Sequence, residues 1–304
     1  MNLETLEVAE APCRHLALGA RQETVASAPP VLLLAPRTRW LTVDTREFWY
    51  YRELLYFFIW RDIKVRYKQT AVGAAWAVLQ PLMTMLLFSL LFGRLAKLPS
   101  QGLPYPLFYY SALLPWMYFS TTLQNTTSKL VENQHVITKV YFPRLMLPLS
   151  ATLCGLVDFG ISFLMFAVIL SYYGVRFAIW PGLGLLYFPI LLLLTILLAL
   201  GVGLWLSALN AIYRDVKYVL PFLLQFWMFA SPVAYPASLI PPKWRWLYGL
   251  NPLSGVIEGF RWSLTGRGDL PYRQLALSAA MILAIAVSGL AYFQAMEVTI
   301  ADVV

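Results

Sequence analysis

RDIKVRYKQTAVGAAWAVLQPLMTMLLFSLLFG, residues 61–93, sets four basic side chains, Arg61, Lys64, Arg66 and Lys68, directly before an uncharged run from 69 to 93. A helix needs about 20 apolar residues to cross the hydrocarbon core of a bilayer, and Lys or Arg beside the first crossing keep that end in the cytoplasm. This stretch predicts an integral membrane protein whose first span runs outward. Composition agrees: 60% of the 304 residues are hydrophobic and 12% charged, where soluble domains carry about 25% charge, and the mean hydropathy is +0.64. The formal charge of +8 raises the question of nucleic acid. The charges lie beside and between the apolar runs, where membrane orientation accounts for them, so no nucleic-acid partner is expected.

Outward from the junction, residues 1–44 scatter Pro12, Pro29, Pro30 and Pro36 among Ala and Ser and carry Glu4, Glu7 and Glu10 near the start. They read as a disordered cytoplasmic tail without a signal-peptide core. Cys13 lies in that tail and Cys154 in an apolar run, which gives the pair no reason to form a disulfide. Downstream, ionisable residues divide the chain into six runs near 74–92, 108–127, 147–171, 183–209, 219–235 and 274–293. They predict an all-α integral membrane domain, 71–304, with six spans and both termini in the cytoplasm. That topology puts 15 basic residues inside and 8 outside, the expected sign of bias.

Two regions depart from a simple count. In 45–70, Arg46, Tyr50, Glu53, Phe57, Arg61, Lys64 and Lys68 recur at spacings of three and four within an aromatic-dense segment. This predicts an amphipathic helix lying in the interface; the alternative, a seventh span, would place Arg52 and Glu53 at its centre. From 231 to 262, Pro232, Pro236, Pro241, Pro242 and Pro252 break an apolar stretch. Short re-entrant half-helices covered by protein fit it, and so does a surface loop anchored by Trp244, Trp246 and Trp262.

Chemistry is sparse. His15 and His135 are the only histidines, so no metal set or hydrolytic triad can be assembled and no catalytic residue is expected. A GxxxxGK[ST] phosphate loop is missing from the sequence, and the cytoplasmic segments are far shorter than a domain. Any ATPase must therefore be a separate chain. Asp158 lies inside the third run, where it reads either as a relay or substrate partner or as a helix-packing hydrogen bond.

Five segments carry a family resemblance: RDIKVRYKQTAVGAAWAVLQPL (61–82), LLPWMYFS (113–120), ENQHVITKVYFPRLMLPL (132–149), NAIYRDVKYVLPFLLQFWMFASPVAYP (210–236) and LNPLSGVIEGFRW (250–262). In this order they resemble the permeases of type 2 ABC exporters for lipid-linked polysaccharides, the Wzm-like group serving O-antigen, capsule or teichoic acid. The tail before 44 is not covered. The resemblance implies a homodimer in the bacterial inner membrane, with ATP and Mg on a partner nucleotide-binding subunit and no cofactor in this chain. The implied substrate is an undecaprenyl-diphosphate-linked glycan moved from cytoplasm to periplasm. It implies a coupling helix within 129–144, with Lys129, Glu132, His135, Lys139 and Arg144 toward the ATPase, and a lesser role for Arg214, Asp215 and Lys217. Periplasmic gate half-helices would carry Glu258 and Arg261, which three-residue spacing lets pair.

Arg61, Lys64, Arg66 and Lys68 would meet the lipid diphosphate, lipid headgroups or the ATPase. Aromatic faces suit sugar C–H surfaces. Tyr109, Tyr110, Trp116, Tyr118 and Phe119, with Phe222, Phe226, Trp227 and Phe229, are therefore candidates for the substrate path, against packing or lipid contact. Two other classes compete. An integral-membrane transferase for polyprenyl-linked sugars would have only Asp158, His135 and Glu258 to work with. An ABC permease for small hydrophobic compounds shares the topology without the RDIKVRYKQT and FPR motifs.

Overall fold

A computed structural model describes residues 45–68, 73–244, 248–268 and 270–303; the tail 1–44, Gln69 and Thr70 of the interfacial segment and Trp246 lie outside these. Among the described residues every regular element is helical. In chain order they are α1 (Thr45–Tyr50), α2 (Arg52–Lys68), α3 (Gly73–Phe88) running into a π-helical turn Ser89–Leu95, α4 (Tyr105–Glu132), α5 (Gln134–Ile137), α6 (Met146–Phe177), α7 (Phe188–Ile212), α8 (Val216–Ala230), α9 (Pro252–Thr265) and α10 (Tyr272–Val303). Short 3₁₀ turns at Leu183–Tyr187, Ala237–Leu239 and Pro242–Trp244 link them.

Four segments are long and apolar enough to cross a membrane: Ala75–Leu95, Met146–Phe177, Leu183–Ile212 and Tyr272–Glu297. The expected second span differs in kind. α4 has 28 residues, about 42 Å at 1.5 Å per residue, but hydroxyl and amide side chains from Ser120 to Thr127 dilute its hydropathy. Its position explains the composition. Seventeen of its 28 residues are buried, against α3, α6, α7, α8 and α9, so Thr122, Thr126 and Thr127 meet protein while Thr121 and Gln124 remain exposed. Thr127 Oγ1 bonds back to the Leu123 carbonyl at 2.7 Å, and Tyr118 Oη reaches the Thr152 carbonyl at 3.1 Å.

The expected fifth span, near 219–235, is a 15-residue helix that ends at Ala230, with Ser231 extended and Pro232 following. A proline cannot continue the ladder, and the residue before it is driven toward extended backbone. Between there and α10, the described residues form short 3₁₀ turns with exposed Leu239, Trp244 and Leu250, followed by one buried helix, α9. α9 buries 12 of its 14 residues and is about 21 Å long. Asn251 holds the α8–α9 corner: its Oδ1 accepts from Leu253 N (3.1 Å) and Trp227 Nε1 (3.0 Å), and its Nδ2 donates to the Ala230 carbonyl and Ser231 Oγ. α9 stops at Gly266, whose φ of +63° is the left-handed conformation that closes a helix, and whose N–H returns to the Trp262 carbonyl.

α7 and α10 touch backbone to backbone. A Cβ on Gly289 would sit 2.3 Å from the Gly201 carbonyl oxygen, and one on Gly201 2.7 Å from Ala286 Cα. Trp205 stacks on Tyr292 beside the crossing, 4.9 Å between centroids. Small residues at such a crossing are what helices in lipid use to approach, since apolar burial gives no advantage there. Gly289→Ala should therefore lower stability by about 1–3 kcal/mol, the ordinary cost of overpacking. Gly160→Ala, where a Cβ meets nothing within 4 Å, should be neutral or stabilising. Thermal unfolding of the two purified variants checks the contrast.

Candidate functional site

α2 is fastened to the helical body along one face. Phe58 is fully buried among Leu130, Phe142, Met146, Leu147 and Phe293, with Tyr51, Leu54 and Leu55 packed at its side. Residues 58, 62 and 66 follow at four-residue steps, so the same face carries Asp62 and Arg66 inward. The outward face presents Arg46, Tyr50, Glu53, Phe57, Lys64 and Lys68, flanked by Trp49, Tyr56 and Trp60, all exposed. The expected polar stripe is this outward face, and Arg61 is its half-buried member. The opposite face packs on protein.

Two carboxylates organise the basic cluster. Asp62 takes Lys129 Nζ at 2.6 Å and Arg61 Nη2 at 3.1 Å, and the same Arg61 nitrogen donates to Asn133 Oδ1 at 2.8 Å. Asp158, from α6, pairs with Arg66 and accepts a hydrogen bond from Tyr67. Burial, reinforced by that hydrogen bond, pushes the Tyr67 hydroxyl above its ordinary range, so it remains a donor. Of the four junction cations, Arg61 and Arg66 are thus engaged with the body while Lys64 and Lys68 face outward. Asp158 is a packing partner in an ion pair, with Gly155 beside it letting α6 approach Thr122.

Two cavities meet at Arg66. One, of about 520 Å³, is lined by Arg61, Asp62, Arg66, Asn125, Lys129 and Glu132. The other, of about 450 Å³, lies between α3, α4 and α6 with walls including Trp76, Pro81, Leu114, Met117 and Phe159, and Arg66 and Asp158 at its polar end. A charged chamber opening beside an apolar one is complementary to an amphiphile with an anionic head. Among the described residues no three of His, Cys, Asp and Glu gather as metal ligands would.

The other residues singled out from the sequence fall in distinct places. Lys129 belongs to the Asp62 network, and Glu132, His135 and Lys139 are exposed at the end of α4 and around the four-residue α5. Arg144 donates to the Glu297 carbonyl, tying the loop to α10. Tyr141 Oη donates to Glu47 Oε1 at 3.2 Å, tying it to α1.

The aromatic set divides. Tyr109, Tyr110, Trp116, Tyr118 and Phe119 are buried within the chain, where their rings pack against neighbouring helices, and Tyr118 also lines the apolar cavity. The reason is the central position of α4, which turns these rings into protein. Phe222, Phe226 and Phe229 of α8 are exposed, the first two edge-to-face at 4.6 Å, and Trp227 is half-buried. Glu258 and Arg261 do pair, at 3.6 Å. Arg261 also donates to the Pro232 carbonyl at 2.8 Å and lies 3.8 Å over the Phe108 ring. Glu258 accepts from the Ala237 N–H at 2.9 Å. Together they pin the proline-rich turn against α4.

Asp62, Tyr67 and Asn251 escaped notice in the sequence. Asp62 stands between basic residues, four from both Phe58 and Arg66, and Asn251 precedes Pro252 as a helix N-cap does.

Residues 53–265 match the ABC-2 type transporter family. The chain is 32% identical over 219 residues, 71% of its length and 82% of the relative's, to the O-antigen export system permease protein RfbA of Myxococcus xanthus. It is 26% identical to the protein of the same name in Klebsiella pneumoniae, over 80% of this chain and 92% of that one. The polysialic acid transport protein KpsM of Escherichia coli is 26% identical over 65% of this chain and 76% of its own. The match begins at the second residue of α2, runs through both cavities and ends at the last residue of α9. The chain belongs to the ABC-2 type transporter family, as a membrane permease subunit whose ATP hydrolysis is carried out by a separate subunit.

Proposed function

We propose that two copies of this chain form the membrane half of an exporter that moves a polyprenyl-diphosphate-linked glycan from the cytoplasm across the bacterial inner membrane. The observation that carries this reading is the charged chamber joined to an apolar one at Arg66, at the inner end of an interfacial helix. A diphosphate needs cations, and Arg61, Arg66 and Lys129 are gathered there against Asp62 and Glu132, a surplus of one positive charge; an isoprenoid needs an apolar wall. The relatives named for O-antigen export and polysialic acid transport favour a glycan cargo over a small hydrophobic compound. With α4 and α8 added to the four long apolar helices, the chain crosses six times with both termini inside. α9 is then a half-helix entering from the outer side under cover of α4, α7 and α10.

Partners follow from the surfaces. α5 and the exposed His135, Lys139, Val140 and Tyr141 form a short platform between two long helices, suited to dock a nucleotide-binding subunit that holds ATP and Mg. The face of α8 bearing Tyr218, Phe222, Leu223 and Phe226 is exposed and serves the second copy or the path between copies.

Reconstitution with its ATPase in vesicles should show ATPase activity stimulated by the lipid-linked glycan. Removing Arg66 alone would strand Asp158, so the paired change Arg66→Gln/Asp158→Asn is the cleaner probe. It should weaken half-maximal stimulation about tenfold, equivalent to about 1.4 kcal/mol, with assembly intact; unchanged stimulation removes Arg66 from the lipid site. At the platform, Lys139→Glu combined with His135→Ala should reduce copurification of the ATPase while the permease keeps its thermal stability. Full copurification would place docking elsewhere.

A further inference from the structure

A third cavity, of about 850 Å³, lies far from the first two. It surrounds Tyr272, the first residue of α10, whereas Phe293 of the same helix packs on Phe58 beside the basic cluster. Twenty-one residues of helix, about 32 Å, separate them, which is the thickness of the hydrocarbon core.

Its lining is unlike a lipid-facing cleft. Gln101, Tyr248, Glu258, Tyr272, Arg273 and Gln274 supply two carboxamides, two phenols, one acid and one base. The frame is rigid where it matters. Glu258 is held by the Ala237 N–H and by Arg261, and α9 and α10 are locked at Gly255, whose N–H donates to Ser278 Oγ at 3.2 Å and whose Cβ, if present, would lie 2.6 Å from it. Gln274 Nε2 is buried with no hydrogen-bond partner among the described residues. Buried polar groups in folded proteins are nearly always paired with protein, water or ligand, so this shielded donor has a partner to gain by turning toward a polar guest in the cavity that Gln274 lines.

The side chains select the guest's chemistry. One carboxylate is too few for a metal cage. One arginine and one glutamate among the lining residues leave no surplus charge for a phosphate. Acyl chains would leave the carboxamides and phenols unsatisfied. A pyranose meets every requirement: hydroxyls that both donate and accept for Gln101, Glu258 and Gln274, and a C–H face for the exposed ring of Tyr272. The volume falls in the range of ligand pockets, about 300–1,000 Å³. We infer that this cavity is a glycosyl-binding subsite at the outer mouth, taking one or two sugar residues of the exported glycan as it emerges. The assignment rests on the export reading above for its cargo and sidedness.

The test uses the permease–ATPase complex in nanodiscs, with free glycan released from its carrier by mild acid as the probe and saturation-transfer NMR as the readout. Tyr272 and Arg273 are exposed, so Tyr272→Ala should fold normally. Gln274→Leu removes the unpaired donor and should fold at least as well as the parent chain. Each should weaken glycan binding about tenfold while basal ATPase activity stays the same. A parent complex that shows no saturation, or variants that keep it, overturns the subsite. Stimulation by the intact lipid-linked glycan, measured on the same samples, reports separately on the export reading: stimulation without saturation sinks the subsite alone.

Discussion

A polar helix held in the middle of an apolar bundle is the constraint on which the other elements depend. α4 buries three threonines and a serine, Thr122, Thr126, Thr127 and Ser111, away from water, and it does so because five neighbouring helices pack against it. Some of its hydroxyls bond back to carbonyls one turn earlier. Asn210 of α7 donates to the Thr127 carbonyl at 3.0 Å, and Tyr110 and Tyr118 reach carbonyls of α6. In lipid such pairing is obligatory for backbone and costly to forgo for side chains. α3, α6, α7, α8 and α9 are therefore arranged as a jacket, and the long apolar ones present their outer faces to the bilayer.

The same economy governs charge. Arg61, Arg66 and Lys129 are not left to repel one another; Asp62 and Asp158 are interleaved with them, and Tyr67 completes the coordination of Asp158. Half-buried ion pairs of this kind add little net stability, because each charge gives up hydration to form them. What they supply is position. They fix the inner face of α2 on α4 and α6 and leave Lys64 and Lys68 on the outside, so that one helix separates its cations into an anchored pair and a solvent-facing pair.

Much of this architecture was legible in the chain. Uncharged runs bounded by Arg and Lys overlap each of the four long apolar segments, because a span must be continuous and apolar to exist. The order of motifs from RDIKVRYKQT to LNPLSGVIEGFRW pointed to the family. Hydropathy identified lipid-facing surface, which is why it undervalued α4 and could not say that Tyr109, Tyr110 and Phe119 face protein: a ring has the same sequence signature whether it meets a neighbour or a sugar. Asp62 was hidden among basic residues that dominate a charge count. The fate of residues 231–262 was open between loop and half-helix because proline excludes a long helix without specifying what replaces it. The contacts of Asn251 and Arg261, which fold part of this stretch back on the bundle, join residues 20 or more positions apart.

The Gly201–Gly289 crossing has a mechanical meaning. Two backbones pressed together without intervening side chains leave little room to slide or roll, so the contact couples α7 to α10. One end of the coupled pair is bound through the Glu297 carbonyl to Arg144, in the loop that carries α5. The other end frames Tyr272 and, through Gly255 and Ser278, α9. The loop that carries α5 and the corner where α9 meets α10 are thus joined through one continuous close contact rather than through flexible connections.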